Sequence, residues 1–264
     1  MTATPSSPAP ALPLAARLRT LVVPGIAASI ALAILVVLGT WQLSRLAWKN
    51  GLVAQVEQRT RAPAIALPGR EAWPRMTPAR DDYRRVTVTG RFRHDAEAYL
   101  YHVAGDSRQA DATRPRGQGF FVLTPLVTAT GDTVIVNRGF VPTDRRDPGT
   151  RTAGQVDGIV SVTGLIRYPE ERGALAAPDD PARRTFYTRD LAGIGRTLGL
   201  DAAATAPFSV DADATPVPGG LPVGGETRLV FTNRHFEYAL TWFGLALTLV
   251  GVFGAYAFQR LRGR

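Results

Sequence analysis

The chain has 264 residues, no cysteine, and a formal net charge of +9 from 31 Lys+Arg against 22 Asp+Glu. The missing thiols exclude disulfides, thiolate metal sites and cysteine nucleophiles, and the single lysine, Lys49, excludes a phosphate loop ending in Gly-Lys-Ser/Thr. The charge does not point to nucleic acid: Arg17, Arg19, Arg260, Arg262 and Arg264 flank two apolar blocks, and no acid lies in 1–43 or 238–264, a pattern that sets membrane topology.

Residues 21–40 form an uncharged block of twenty. At ~1.5 Å per helical residue it spans ~30 Å, the thickness of a bilayer's hydrocarbon. Signal cores are shorter, and Gly39-Thr40-Trp41-Gln42-Leu43 is a poor cleavage context, so 21–43 reads as an uncleaved anchor. Residues 44–60 extend the helical pattern, with Leu46, Leu52, Val53 and Val56 near one face. Pro63, Pro68, Pro74 and Pro78 then mark a linker. From Tyr83 the period changes to two, with Val86, Val88 and Phe92 alternating with Thr87 and Thr89. Three more strands are predicted at 119–126, 132–138 and 158–166, with Gly131-Asp132 suited to a hairpin turn. A short strand at 206–210 and an amphipathic helix from Arg189 to Leu198 complete the domain. Segments 104–118, 142–156, 169–183 and 211–227 read as loops. Residues 239–258 form the second uncharged block of twenty.

The expected class is α+β: two transmembrane helices, N- and C-terminal, flanking an extracytoplasmic domain built on a mostly antiparallel β-sheet. The expected division is a cytoplasmic tail at 1–20, a first span at 21–43, the domain at 44–237, a second span at 238–258 and a cytoplasmic tail at 259–264. Terminal arginines place both ends in the cytoplasm, against a mild opposing signal from Arg45 and Lys49. Without a convincing transit peptide, the expected location is a bacterial plasma membrane, with the domain periplasmic. Trp41 and Trp48 after the first block, and Phe236, Tyr238, Trp242 and Phe243 around the start of the second, suit the domain-side interface. Gly25, Ser29 and Ala33 form one row of small residues and Gly251 and Ala255 another, as helix packing in lipid uses.

No nucleophile elbow, zinc-protease motif or complete dinucleotide fingerprint occurs, so the chain reads as non-enzymatic. His94 and His102 read as ordinary structural or surface residues. His235 stands three residues before the second span. If the helix includes it, His235, Tyr238 and Trp242 share one face at i, i+3 and i+7. An imidazole there could ligate a haem iron, or it could hydrogen-bond lipid headgroups or the domain. Arg45 and Glu237 are placed to pair near the membrane surface. In Asn137–Pro142, Gly139 and Pro142 suit a tight turn, while Arg138 could bind a haem propionate or a partner's carboxylate.

Five segments in order carry a family resemblance. They are Gly39-Thr40-Trp41-Gln42-Leu43 with Arg45, Trp48 and Lys49; Tyr83-Arg84-Arg85-Val86 with Val88-Thr89-Gly90; Gly119 to Leu126; Val136 to Pro142; and Asn233, His235, Tyr238, Thr241, Trp242 and Phe243. The chain resembles the surfeit locus protein 1 (Shy-type) assembly factors of cytochrome c oxidase over about residues 38–250. The resemblance implies a non-catalytic, membrane-bound factor that assists haem a delivery or insertion into the largest oxidase subunit. It implies transiently bound haem a with His235 as iron ligand and Tyr238 and Trp242 beside the porphyrin. Trp41, Arg45 and Arg138 become partner contacts, and haem a synthase a further partner beside the lipid bilayer. The absent cysteines agree with haem rather than copper delivery. The alternatives are a haem-free scaffold for an oxidase intermediate, and a membrane-anchored extracytoplasmic enzyme or sensor.

Overall fold

In lipid, an uncharged run of twenty residues can satisfy its own backbone only as a helix. A computed structural model of the chain describes residues 14–104, 115–227 and 233–262, and in it both blocks are helical. Of the expected tails, 1–13 and 263–264 lie outside the described residues, as do 105–114 of the loop expected at 104–118. In chain order the elements are α1 (Leu14–Arg61), β1 (Ile65–Ala66), α2 (Pro78–Asp81), β2 (Arg85–Phe92), β3 (Ala98–Ala104), β4 (Gly117–Thr128), β5 (Thr133–Pro142), β6 (Ile159–Arg167), β7 (Thr185–Phe186), α3 (Leu191–Thr197), β8 (Thr205–Ala212) and α4 (His235–Arg262), with short 3-10 turns between them. The chain divides into two compact units, Met1–Ala54 with Val230–Arg264, and Gln55–Leu229.

The first unit pairs α1 with α4. Both helices are long and apolar enough to cross a membrane. Val23, Ile26, Ile30, Leu247 and Val252 are exposed, as lipid-facing side chains in a membrane protein are. Ser44, Thr241 and Thr248 donate their hydroxyls to carbonyls one turn back, which satisfies these three donors within the helix. The close approach of the helices is at Gly39, where a Cβ would meet the Phe243 ring at 2.7 Å. Ala239 and Ala246 are buried along the same face of α4. Of the expected small-residue rows, Gly25 lies against Phe253, but Gly251 meets nothing within 4 Å. Phe243 fills the space that a second small residue would have closed. The helix also runs on from 43 through Arg61, so its last turns belong to the second unit.

The second unit is a mixed sheet around a barrel-like core. β2 pairs antiparallel with β4, β4 with β5, and β2 with β6. The order β6-β2-β4-β5 is a Greek key, and β8 closes the ring between β6 and β5. The expectation of a mostly antiparallel sheet needs amendment: β1–β2, β3–β7 and β5–β8 are parallel. β5 and β8 are parallel because the chain between them crosses over through β6, β7 and α3. β4 bends, with a register shift between Phe121 and Leu123. Its first half pairs with β3 and its second half with β2. The turn at Gly131 (φ 83°) joins β4 to β5, and the Thr128 amide donates to Asp132 O.

β5 is apolar on both faces because it separates two cores. Val134 and Val136 face Val86, Val88, Leu126, Phe208 and Val210, with Trp73 edge-on to Phe208 as a plug. Ile135 faces Leu100, Leu123, Phe186 and the α3 residues Leu191 and Ile194. Each such side chain contributes about 1.5–3 kcal/mol by burial.

One strand was not foreseen, and one local expectation fails. Residues 98–104 are the strand β3, which the sequence pattern did not show. Asn137–Pro142 is no turn: β5 runs through it to Pro142 opposite Gly119. Gly139 supplies the φ of 122° that bends the strand, and a Cβ there would strike the Val223 carbonyl.

Candidate functional site

The α1–α4 unit gathers its polar side chains at one place. α4 begins at His235, whose amide donates to Asn233 Oδ1 at 3.4 Å, so Asn233 caps the helix. The other end of the same side-chain amide donates from Nδ2 to Asn50 Oδ1 of α1 at 2.9 Å. Two turns earlier on α1, Gln42 Oε1 lies 2.8 Å from His235 Nδ1. An amide oxygen can only accept, so Nδ1 donates its proton to Gln42 and Nε2 is the nitrogen left for a ligand. No described residue hydrogen-bonds Nε2. The imidazole is held on one side by α1 and open on the other, which is how a metal-ligating histidine is commonly held.

Tyr238 and Trp242 follow His235 on the same face of α4. Tyr238 is exposed, and His235 and Trp242 are half-buried. Trp41 is exposed beside Gln42. Arg45 does not pair with Glu237: its guanidinium lies 4.1 Å from the centroid of the Trp48 ring, and no ion pair joins Arg45 to Glu237 among the described residues. A cation over an indole is well suited to the membrane interface.

Arg138 belongs to the other unit and is buried, at 5% exposure. Its guanidinium donates to Glu97 Oε1 at 3.0 Å, to Gln155 Oε1 at 3.2 Å and to the Gly154 carbonyl. It also stands 3.3 Å from His94 Nδ1 and over the Phe92 ring. Arg151 approaches Glu97 from the other side, with Nη2 2.5 Å from Oε2. Tyr99 and Gln155 donate to the same carboxylate. Burial pushes Arg138 down to about 10, against the opposing pull of Glu97. With these contacts Arg138 is turned into the fold rather than presented on the surface, where the sequence reading placed it. The inward turn follows from β5 continuing as a strand at this position.

A second buried pair joins Arg189 to Asp211 at 2.6 Å, with Ser209 bonded to the same guanidinium. Burial draws the Arg189 pKa down, but the charge and hydrogen bonds of Asp211 outweigh it and the net shift is upward. The pair borders a cavity of about 590 Å³, also lined by Tyr83, Tyr101, His102, Arg167 and Glu170. His102 stacks on Phe121 at 4.0 Å between ring centres. Burial raises both Asp82 and Tyr83 near its rim, with Arg167 opposing. No group of three or more His, Asp or Glu residues placed to hold a metal occurs among the described residues.

The structure thus brings His235, Tyr238 and Trp242 onto one helix face and leaves Arg138 in a separate unit. Sequence reasoning missed Gln42 and Asn50. The signal was faint, since both lie just beyond the uncharged block 21–40 and α1 carries further amides at Gln55 and Gln58. It also missed Glu97 and Arg151, whose pairing across 54 positions leaves no local trace.

The SURF1 family profile matches residues 29–247, a stretch that holds both helix ends and the whole barrel. Surfeit locus protein 1 of Rattus norvegicus is 36% identical over 214 residues, covering 79% of this chain and 67% of its own. The Homo sapiens protein of that name is 36% identical over 217 residues, covering 79% and 69%. A SURF1-like protein of Monosiga brevicollis is 37% identical over 218 residues, covering 80% and 79%.

Proposed function

Because the chain belongs to the SURF1 family, we propose that it is a non-catalytic membrane assembly factor for cytochrome c oxidase that carries haem a transiently on His235. The observation that supports this most directly is the 2.8 Å bond from His235 Nδ1 to Gln42 Oε1, which leaves Nε2 as an unencumbered ligand atom. His235 Nε2 would hold the iron of haem a when the haem is bound. Tyr238 and Trp242 would offer aromatic surface to the porphyrin, and Trp41 and Arg45 would meet the largest oxidase subunit or a haem a synthase. The membrane is taken as a bacterial plasma membrane. The arginines at both chain ends favour cytoplasmic termini and an extracytoplasmic barrel domain.

Co-expression of the full chain with a haem a synthase tests the reading. The purified protein should carry a haem spectrum that His235→Ala loses. Equal haem content in the two proteins would remove His235 as the ligand.

A second reading, a haem-free scaffold holding an oxidase intermediate by helix contacts, is favoured by Gly244, Gly251 and Gly254, which meet nothing within 4 Å. On that reading the purified protein is colourless, yet its deletion still depletes assembled oxidase.

A further inference from the structure

A histidine that only ligates needs one nitrogen, and the fate of the other decides how well it does so. His235 sits at the first turn of α4, where the ring would otherwise be free to turn about its Cβ–Cγ bond. Gln42 removes that freedom. Its Oε1 fixes the proton on Nδ1 at 2.8 Å and points Nε2 away from α1. The contact joins two helices that meet nearby, with the Phe243 ring against Gly39 three residues before Gln42. The Asn233–Asn50 bond at 2.9 Å is a second contact between the two helices that does not touch the imidazole.

We infer that Gln42 is a positioning residue that fixes the His235 tautomer and, by being an amide rather than a carboxylate, keeps the iron–imidazole bond weak enough to release its haem. The inference rests on the proposed ligation by His235. A carboxylate at the same place would draw the Nδ1 proton harder and make the imidazole a stronger donor. A neutral amide orients the ring without that reinforcement. A stably bound cofactor gains from the stronger donor, whereas a carrier must let its cargo go.

The test uses the full chain in detergent, with hemin as the probe. Nitrogen NMR of ¹⁵N-histidine in the hemin-free protein should show a single Nδ1–H tautomer for His235, and a mixture in Gln42→Leu. Hemin affinity should fall about 10–100-fold in Gln42→Leu. Gln42→Glu should raise the hemin affinity, lower the reduction potential of the bound iron, and slow haem transfer to apomyoglobin; a Gln42→Glu protein that releases haem as fast as the parent would overturn the part of the inference that concerns release. Asn50→Leu separates positioning from helix pairing, because it removes the other cross-helix bond and should leave hemin affinity within about twofold. If His235→Ala binds hemin like the parent protein, the ligation reading itself fails. If His235→Ala loses hemin while Gln42→Leu matches the parent in tautomer and affinity, the role of Gln42 alone is overturned. That role is overturned equally if Asn50→Leu costs as much hemin affinity as Gln42→Leu.

Discussion

The two units treat a buried polar group in opposite ways. In the barrel, Glu97 receives Arg138, Arg151, Tyr99 and Gln155, and the guanidinium of Arg138 is spent on Glu97, Gln155 and Gly154. In the helix pair, His235 has one nitrogen fixed and the other open. A saturated network rigidifies a fold and has nothing left to offer a ligand. A half-occupied imidazole between apolar helices is the reverse case, costly to keep and useful only if something completes it. The difference separates stability from function: the barrel is the well-packed body, and the candidate chemistry lies in the helix pair.

The largest expected effect tests the barrel side of that contrast. Glu97→Ala leaves two buried guanidinium groups without their shared carboxylate, and removing one partner of a buried ion pair costs about 3–5 kcal/mol. The barrel should then melt well below the parent by near-ultraviolet circular dichroism, or fail to accumulate. Glu97→Gln keeps a hydrogen-bond acceptor and should cost less than Glu97→Ala. A Glu97→Ala protein that melts with the parent would break the comparison, because the network would not be holding the fold.

A smaller effect is expected in the helix pair. At Gly39 an added Cβ would fall 2.7 Å from the Phe243 ring, and overpacking of this kind costs about 1–3 kcal/mol. Gly39→Leu should weaken α1–α4 association and the His235–Gln42 contact while leaving the barrel's near-ultraviolet melting midpoint in place. Gly39→Leu with Phe243→Ala should recover part of the loss by returning the space. A fall in the barrel midpoint equal to the loss of hemin binding would show that the two units unfold as one, and the separation would need redrawing.

The sequence made some of this division readable and hid the rest for physical reasons. The two helices follow from length and missing charge. β2 follows from the alternation of Val86 and Val88 with Thr87 and Thr89, because one face meets the core and the other does not. β3 gave no such period, since Tyr99, Leu100 and Tyr101 pack against neighbours on both faces. Arg138 looked like a surface residue because Gly139 and Pro142 punctuate the chain as a turn would. In fact the glycine bends a strand, and the bend is needed because Val223 pairs closely with Phe140. His235 stood out by its place beside the span. Its partner Gln42 lies 193 positions away, and no periodicity reports a contact at that distance.

The smallest effect is a pH dependence that belongs to the barrel alone. Burial, reinforced by the charge of Glu97, pushes the Tyr99 phenol up to about 12, whereas an unfolded tyrosine titrates near 10. Between those values the unfolded chain has lost the proton and the folded chain keeps it. The stabilisation from the neutral phenol is therefore complete below about pH 10 and is lost as pH rises toward 12. Tyr168, also pushed up to about 12 by burial, acts in the same sense. Arg138 opposes both: its folded value of about 10 lies below that of an unfolded arginine, so its contribution grows with pH over the same window. The parent curve alone cannot apportion the three, but the difference between the parent and Tyr99→Phe can. At neutral pH Tyr99→Phe should cost about 1 kcal/mol for the lost bond to Glu97, and the gap should close from pH 10 upward as the phenol of the unfolded parent ionises while the folded one keeps its proton. A gap that stays constant to pH 12 would mean that the folded phenol ionises together with the unfolded one, so that burial does not raise Tyr99. A gap that closes in hemin affinity rather than in the barrel's melting midpoint would place the titrating group in the helix pair and undo the assignment of the saturated network to stability.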